Sequence, residues 1–348
     1  MNEPTAASDP SPSRPSPNGH PAGGQVLPPL PDLPPVEAPS AGFIVQLFVI
    51  PAVVVLIVIL VWLVFGKLAG GERDAMEYVR LIRGVSTNWR SANRAAYELA
   101  SLIQNDPKLA ADPKLLGELT ELLEQNLDKV EDPEMTQYLA LALGRFQIAE
   151  GVSGNGTMVD TLATLARALD AIYPDSIRIA AAMSLAEQAA HREGKIDHAR
   201  AVAALSETAR AAEPTLRQVS VYALGFFGGE AATNALRDHL ADENRYARYN
   251  AAVALSRRGD PTAAGTVREM LSTADLEKVL DITSADEKRA KIEAIELEAL
   301  NALQTAITAG KPELARQARR EIEALSQTGL SSVRNAALNV LKNLPAAP

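Results

Sequence analysis

From Ala75 onward, apolar residues return at every third and fourth position, as in Ala75, Met76, Val79 and Ile82 and again in Leu115, Leu119, Leu122 and Leu123. This spacing lays a stripe along one face of a helix, and no period-two alternation of the kind strands need is present. The body therefore reads as helix after helix. Proline and glycine mark the breaks, at Asn105-Asp106-Pro107, Glu131-Asp132-Pro133, Tyr173-Pro174-Asp175, Glu213-Pro214, Gly259-Asp260-Pro261 and Gly310-Lys311-Pro312. The first amides of a helix have no intrahelical acceptor, so proline is tolerated just inside a start and these breaks double as helix starts.

Ahead of the body the pattern changes to an unbroken apolar run, Phe43 to Phe65 (FIVQLFVIPAVVVLIVILVWLVF). At about 1.5 Å of rise per residue a helix of this length reaches roughly 34 Å, enough to cross a hydrocarbon core of about 30 Å. A cleaved signal peptide would need a basic leader and a shorter apolar core. Here the preceding segment carries only Arg14, and a buried core helix has no need of so long an uncharged stretch. The expectation is one transmembrane helix over 43–66, contacting the lipid bilayer, with a linker over 67–74. The N-terminal flank lacks Lys and Arg near the run, whereas Lys67, Arg73, Arg80 and Arg83 follow it, which places the body in the cytoplasm and the N-terminus outside a cell (plasma or inner) membrane. Residues 1–42 are Pro-rich and poor in large apolar side chains, so they are expected to be a disordered tail with polyproline II stretches. Its PPLPDLPP segment, Pro28 to Pro35, contains a P-x-x-P pattern and reads as a spacer rather than a ligand.

One short pattern recurs along the body: IRIAAAMSLA from Ile177, LRQVSVYALG from Leu216, ARYNAAVALS from Ala247 and VRNAALNVLK from Val333, with weaker copies from Ser91 and Met135 and a degenerate one ending at Leu300. The terminal leucines, Leu99, Leu143, Leu185, Leu224, Leu255, Leu300 and Leu341, lie 31 to 45 residues apart, about one helical hairpin each. A hairpin of two amphipathic helices cannot bury its apolar face alone, so neighbours stack and share one continuous core. The pattern resembles the HEAT repeat, especially its short bacterial form with V-R-x-x-A-A-x-A-L-G in the second helix, over about residues 75 to 344. Several copies carry Ala92, Thr136 or Glu293 in place of the arginine. A tetratricopeptide array fits less well, because the intervals mostly exceed its period and its Trp-Leu-Gly-Tyr pattern is missing.

The resemblance implies an all-α fold, a right-handed α-solenoid of about six to seven hairpins over 75–344, followed by a C-terminal tail over 345–348. It also implies that the repeat arginines Arg178, Arg217, Arg248 and Arg334 are structural, pairing with acids in the turns: Asp175 with Arg178, Glu213 with Arg217, Asp242 with Arg248. The segment Ser284 to Ile307 opens on a Ser284–Glu287 capping box, and its stripe Ile292, Ile295, Leu300, Leu303 and Ile307 suits packing on a neighbouring repeat better than a coiled coil.

Composition narrows the function. The net charge of −9 argues against nucleic acid, and the absence of cysteine removes disulfides and thiolate chemistry. None of His20, His191, His198 and His239 is followed by Glu, so the His-Glu pairs of iron-dependent HEAT-like hydroxylases are missing; His191 and His198 read as solvent-exposed helix-end residues. The loop GVSGNGTM, Gly151 to Met158, has Thr157 where a phosphate-binding loop needs lysine and reads as a flexible inter-repeat linker. No catalytic residue, cofactor or metal is therefore assigned, and the oligomeric state stays open. The chain reads as a protein-binding scaffold, with a lyase-like or accessory repeat enzyme as the alternative class. Contacts to a protein partner are expected at variable positions of the repeated pattern, Met183, Gln218, Tyr222, Tyr249, Asn250 and Asn339, together with Tyr246; tyrosine offers large area with a polar tip.

Overall fold

The computed structural model describes residues 55, 59, 75–84, 89–129, 132–192 and 196–345. The expected tail over 1–42 and linker over 67–74 lie outside the described residues, as do residues 346–348. Of the apolar run only Val55 and Ile59 are described, both helical and exposed. Among the described residues no helix is long and apolar enough to cross a membrane. Everything else belongs to one unit, Glu72–Pro348.

That unit is built from helices in chain order. They are α1 (Ala75–Arg83), α2 (Trp89–Asn105), the one-turn α3 (Pro107–Ala110), α4 (Pro113–Lys129), α5 (Pro133–Gly144), α6 (Thr161–Arg167), α7 (Asp175–Ala190), α8 (Ala199–Thr208), α9 (Pro214–Leu224), α10 (Gly229–Asp238), α11 (Arg245–Arg257), α12 (Ala264–Met270), α13 (Thr273–Val279), α14 (Ala285–Thr308), α15 (Glu313–Gln317), α16 (Arg319–Leu325) and α17 (Ser331–Asn343). The starts are those the sequence marks. Pro107, Pro133 and Pro214 open their helices just after Asp106, Asp132 and Glu213, whose carboxylates accept hydrogen bonds from amides of the first turn. Ser284 caps α14 through the Glu287 amide, the expected capping contact.

The helices form two rows. In the second row α2, α5, α7, α9, α11, α14 and α17 each pack on the next, while α1, α4, α6, α8 and α10 follow one another in the first. The result is a solenoid of seven stacked hairpins among the described residues. Six of the seven repeat leucines, Leu99, Leu143, Leu185, Leu224, Leu255 and Leu300, are fully buried. Leu341, on the last described helix, is only half-buried. The stripe of α14 is buried as expected, against α11 and α17. Small residues bring the rows close. At Gly144 an added Cβ would meet Ser184 at 2.8 Å, and across the same α5–α7 seam Ser184 Oγ donates to the Ala140 carbonyl at 2.7 Å and Gln188 Nε2 to that of Leu143 at 2.6 Å.

The structure corrects three expectations. First, the fold is not purely helical: β1 (Glu150–Val152) and β2 (Met158–Asp160) pair antiparallel, with Gly151 opposite Val159. The strands are too short for alternation to register in the sequence. The Gly151–Met158 loop is thus a hairpin rather than a flexible linker; its turn is closed by Asn155 Oδ1, which accepts from the Thr157 amide at 2.9 Å, and by Gly156 at φ 84°. Secondly, only one of the three expected arginine–acid pairs is present, Arg178 to Asp175 at 2.9 Å. Glu213 caps α9, while Arg217 reaches Asp242 at 3.3 Å and Glu243 at 2.9 Å, and Arg248 lies 3.6 Å from Glu269. What the repeat arginines share is a backbone contact. Arg217 donates to the Ala211 carbonyl at 2.9 Å, Arg248 to that of Asp242 at 2.8 Å and Arg334 to that of Thr328 at 3.0 Å, each six residues back at the end of the preceding helix. They tie the two helices of a hairpin through helix-end acceptors that would otherwise lack a partner. Thirdly, His198 stands at a helix end as expected but is only partly exposed: it caps α8, its Nδ1 accepting from the Ala201 amide at 3.1 Å and its Nε2 lying 3.0 Å from Asp160. His191 is exposed at the end of α7.

Candidate partner-binding groove

Helices α7, α9, α11 and α14 leave a groove of about 350 Å³ between them, and six of the seven residues singled out from the sequence line it. Met183 comes from α7, Gln218 and Tyr222 from α9, and Tyr246, Tyr249 and Asn250 from α11; Met270 and, from α14, Lys291, Ile295 and Glu298 complete the wall. The convergence follows from the repeat. Met183 and Tyr222 each stand two residues before the buried leucine of their helix, so stacking places them in register on the same face.

Within the groove the side chains divide by exposure. Met183 and Tyr222 are 42% and 45% exposed, and the Tyr222 ring is held edge-on to Phe226 with centroids 5.0 Å apart. Tyr246 is half-buried beneath the Lys291 ammonium, which sits 4.7 Å from its ring centroid, a cation–π contact that orders both. Asn250 Nδ2 donates to the Gln218 carbonyl at 3.2 Å, bridging α11 to α9.

Tyr249 departs from its expected role. Only 3% of it is exposed, and its hydroxyl donates to Glu269 at 2.7 Å. Burial, reinforced by that carboxylate, pushes its phenol up from the ordinary tyrosine range. It is a floor residue rather than a presented one. Asn339 also departs: it lies on α17, away from the groove, with its amide 3.3 Å from Gln304.

The sequence reading missed Tyr97 and Tyr138, whose rings meet edge-on at 6.4 Å on α2 and α5. Tyr97 is 65% exposed and stands two residues before Leu99, the place Met183 and Tyr222 hold in their own helices. The signal that would have found it is that shared offset. Lys291 and Glu298 were missed because α14 belongs to the degenerate copy. Among the described residues no group of three or more His, Asp or Glu is placed to hold a metal ion.

Residues 162–246 and 202–285 match the family model of HEAT repeats. No curated protein matches the sequence. Among solved structures, an engineered protein from a structural genomics consortium is similar at 19% identity and a TM-score of 0.41, covering 78% of this chain and 98% of its own. A designed armadillo repeat protein is similar at 14% identity and a TM-score of 0.39, covering 77% and 99%. The Pds5–Scc1 complex matches at 14% identity and a TM-score of 0.39, covering 77% of this chain and 39% of that one. Likenesses this distant carry no argument about activity.

Proposed function

We propose that this chain is a scaffold anchored in the cell membrane through residues 43–66, with its N-terminus outside, whose cytoplasmic solenoid recruits a protein partner through the groove between α7, α9, α11 and α14. The single observation that carries the recruitment reading is that Met183, Gln218, Tyr222, Tyr246 and Asn250 converge on one groove, with Met183 and Tyr222 presented to solvent. Aromatic and methionine side chains offer large, adaptable contact area, and a solenoid face is continuous across repeats. The anchoring half rests on the apolar run and on the basic residues that follow it.

Photocrosslinking from positions 183 and 222 in native membranes, read by mass spectrometry, tests recruitment. The expected result is the same protein captured from both positions and lost when Met183→Ala and Tyr222→Ala are combined in a folded chain. Full capture by that double variant would overturn the groove. Resistance to alkaline extraction, together with a C-terminal reporter active only in the cytoplasm, is the expected result for the anchor and its orientation.

A further inference from the structure

We propose that the cleft between the α9–α10 turn and the C-terminal end of α11 binds a small organic oxyanion, a phosphate or a carboxylate, through Arg257. The cleft has a volume of about 490 Å³, within the range of small-ligand sites and larger than the recruitment groove. Its wall follows the turn from Gly225 to Gly229, crosses Thr233 of α10 and Thr305 of α14, and closes on Ala254, Arg257 and Arg258 of the α11 end. No aspartate or glutamate lines it, in a chain whose net charge is −9.

The two arginines differ in what they have left to offer. Arg258 Nη2 donates to the carbonyls of Leu224 at 3.1 Å and Phe227 at 2.6 Å, and its Nη1 to Thr233 Oγ1 at 2.6 Å. These acceptors are neutral, so the guanidinium covers carbonyls that would repel an anion while its own charge enters no ion pair among the described residues. Burial lowers its pKa from the ordinary arginine range, with Asp260 opposing. Lys311 adds a cation behind it, its Nζ on the Arg258 carbonyl at 2.8 Å. Thr233 and Thr305 spend their hydroxyl protons on the carbonyls of Gly229 and Asn301, each at 2.9 Å. Arg257 is half-buried and has neither a hydrogen-bond nor an ion-pair partner among the described residues. Its fork is thus the donor set left for a ligand, and its geometry matches two oxygens of a phosphate or carboxylate. Two acids stand close by: Asp260 is held by Arg237 at 2.6 Å, and Asp197 lies against Gly229, one carboxylate facing three cations. Phe226 and Ala254 give the cleft an apolar wall, which suits an anion carrying a carbon body.

Calorimetric titration of the full-length protein in detergent tests this, with phenyl phosphate, benzoate and the neutral benzyl alcohol as probes. Saturable binding of at least one anion, and none of the alcohol, is the expected result; which anion binds tells whether phosphate or carboxylate is the group read. Arg257→Gln removes a charge that has no internal partner, so it should leave the thermal midpoint unchanged while weakening the anion about tenfold. Arg257→Lys, a point charge without the fork, should keep part of the affinity. Arg94→Gln removes the same charge from α2, in the first hairpin, and should leave binding as it was. Bound anion should also slow hydrogen exchange at amides of residues 225–233. Equal binding of the alcohol, no saturable anion binding by about 10 mM, or undiminished affinity in Arg257→Gln overturns the proposal. The recruitment groove is read separately by the crosslinking above, and neither result decides the other.

Discussion

Gly117 of α4 and Gly151 of β1 meet backbone to backbone: a Cβ placed on Gly151 would lie 2.6 Å from the Gly117 amide nitrogen, and one on Gly117 would overlap the Val152 carbonyl. The hairpin is thereby seated on the helix surface, with Thr120 and Thr161 bonded to each other at 2.9 Å just beyond it. In a free helix Gly117→Ala would gain about 1 kcal/mol of helix propensity. Here the overlap is with backbone, which cannot rotate away, so Gly117→Ala is expected to lose about 1–3 kcal/mol overall. Chemical denaturation measures it, and a stabilised variant would mean the hairpin is not seated there.

Tyr222 and Tyr249 share the groove but should respond in opposite ways. Truncating the buried Tyr249 to Ala is expected to lose roughly 3–5 kcal/mol, as for other large buried aromatics. Tyr222→Ala, at the exposed rim, should change stability by less than about 1 kcal/mol while reducing partner capture. Thermal unfolding of both variants separates the floor of the groove from its presented edge.

The backbone contacts of the repeat arginines give a third test. Arg217 is buried and holds the Ala211 carbonyl together with the buried Asp242 and the exposed Glu243, so Arg217→Ala removes the donor to that carbonyl and the countercharge of buried Asp242 and should lose about 3 kcal/mol. Lysine at the same position cannot make the forked contact and should restore only part of it. Glu213→Ala removes only a cap, at about 1 kcal/mol. Equal losses from the two alanine variants would favour the simple acid–arginine pair.

Glu296 predicts a pH dependence. It is buried on α14 with Thr273 Oγ1 donating to it at 2.5 Å; burial raises its carboxyl above the usual range, the Thr273 hydrogen bond opposes this, and Glu293 adds to it. A folded-state pKa above the unfolded one means the native state holds the proton more tightly, so stability falls as pH rises through the raised value. Glu296→Gln keeps an acceptor for Thr273 without the charge. It is expected to match the parent in acid and to exceed it in stability at neutral pH, measured as denaturation midpoints across pH. Asp260 runs the other way. Burial favours its neutral form, but Thr262 and Arg237 outweigh that and hold its carboxyl below the ordinary range. Its contribution is present at neutral pH and is lost as pH falls through that lowered value, so Asp260→Asn should weaken the protein at pH 7 and converge with the parent in acid.

The apolar period, the proline starts and the spacing of the leucines determined the helices, their pairing and the shared core, because each is a local or strictly repeating constraint that a solenoid carries from one neighbour to the next. The repeat offset likewise pointed to Met183 and Tyr222. What the tertiary structure decided were the contacts across non-repeating seams. It sank Tyr249 and left Tyr222 at the surface, although both are tyrosines at variable positions of adjacent copies. It sent Arg217 to the Ala211 carbonyl, and it seated a three-residue strand on Gly117. Side-chain pattern encodes which face of a helix is apolar; how far a neighbour covers that face, and which backbone carbonyl lies within reach of a guanidinium, depend on helix ends and close approaches that leave little trace in the order of residues.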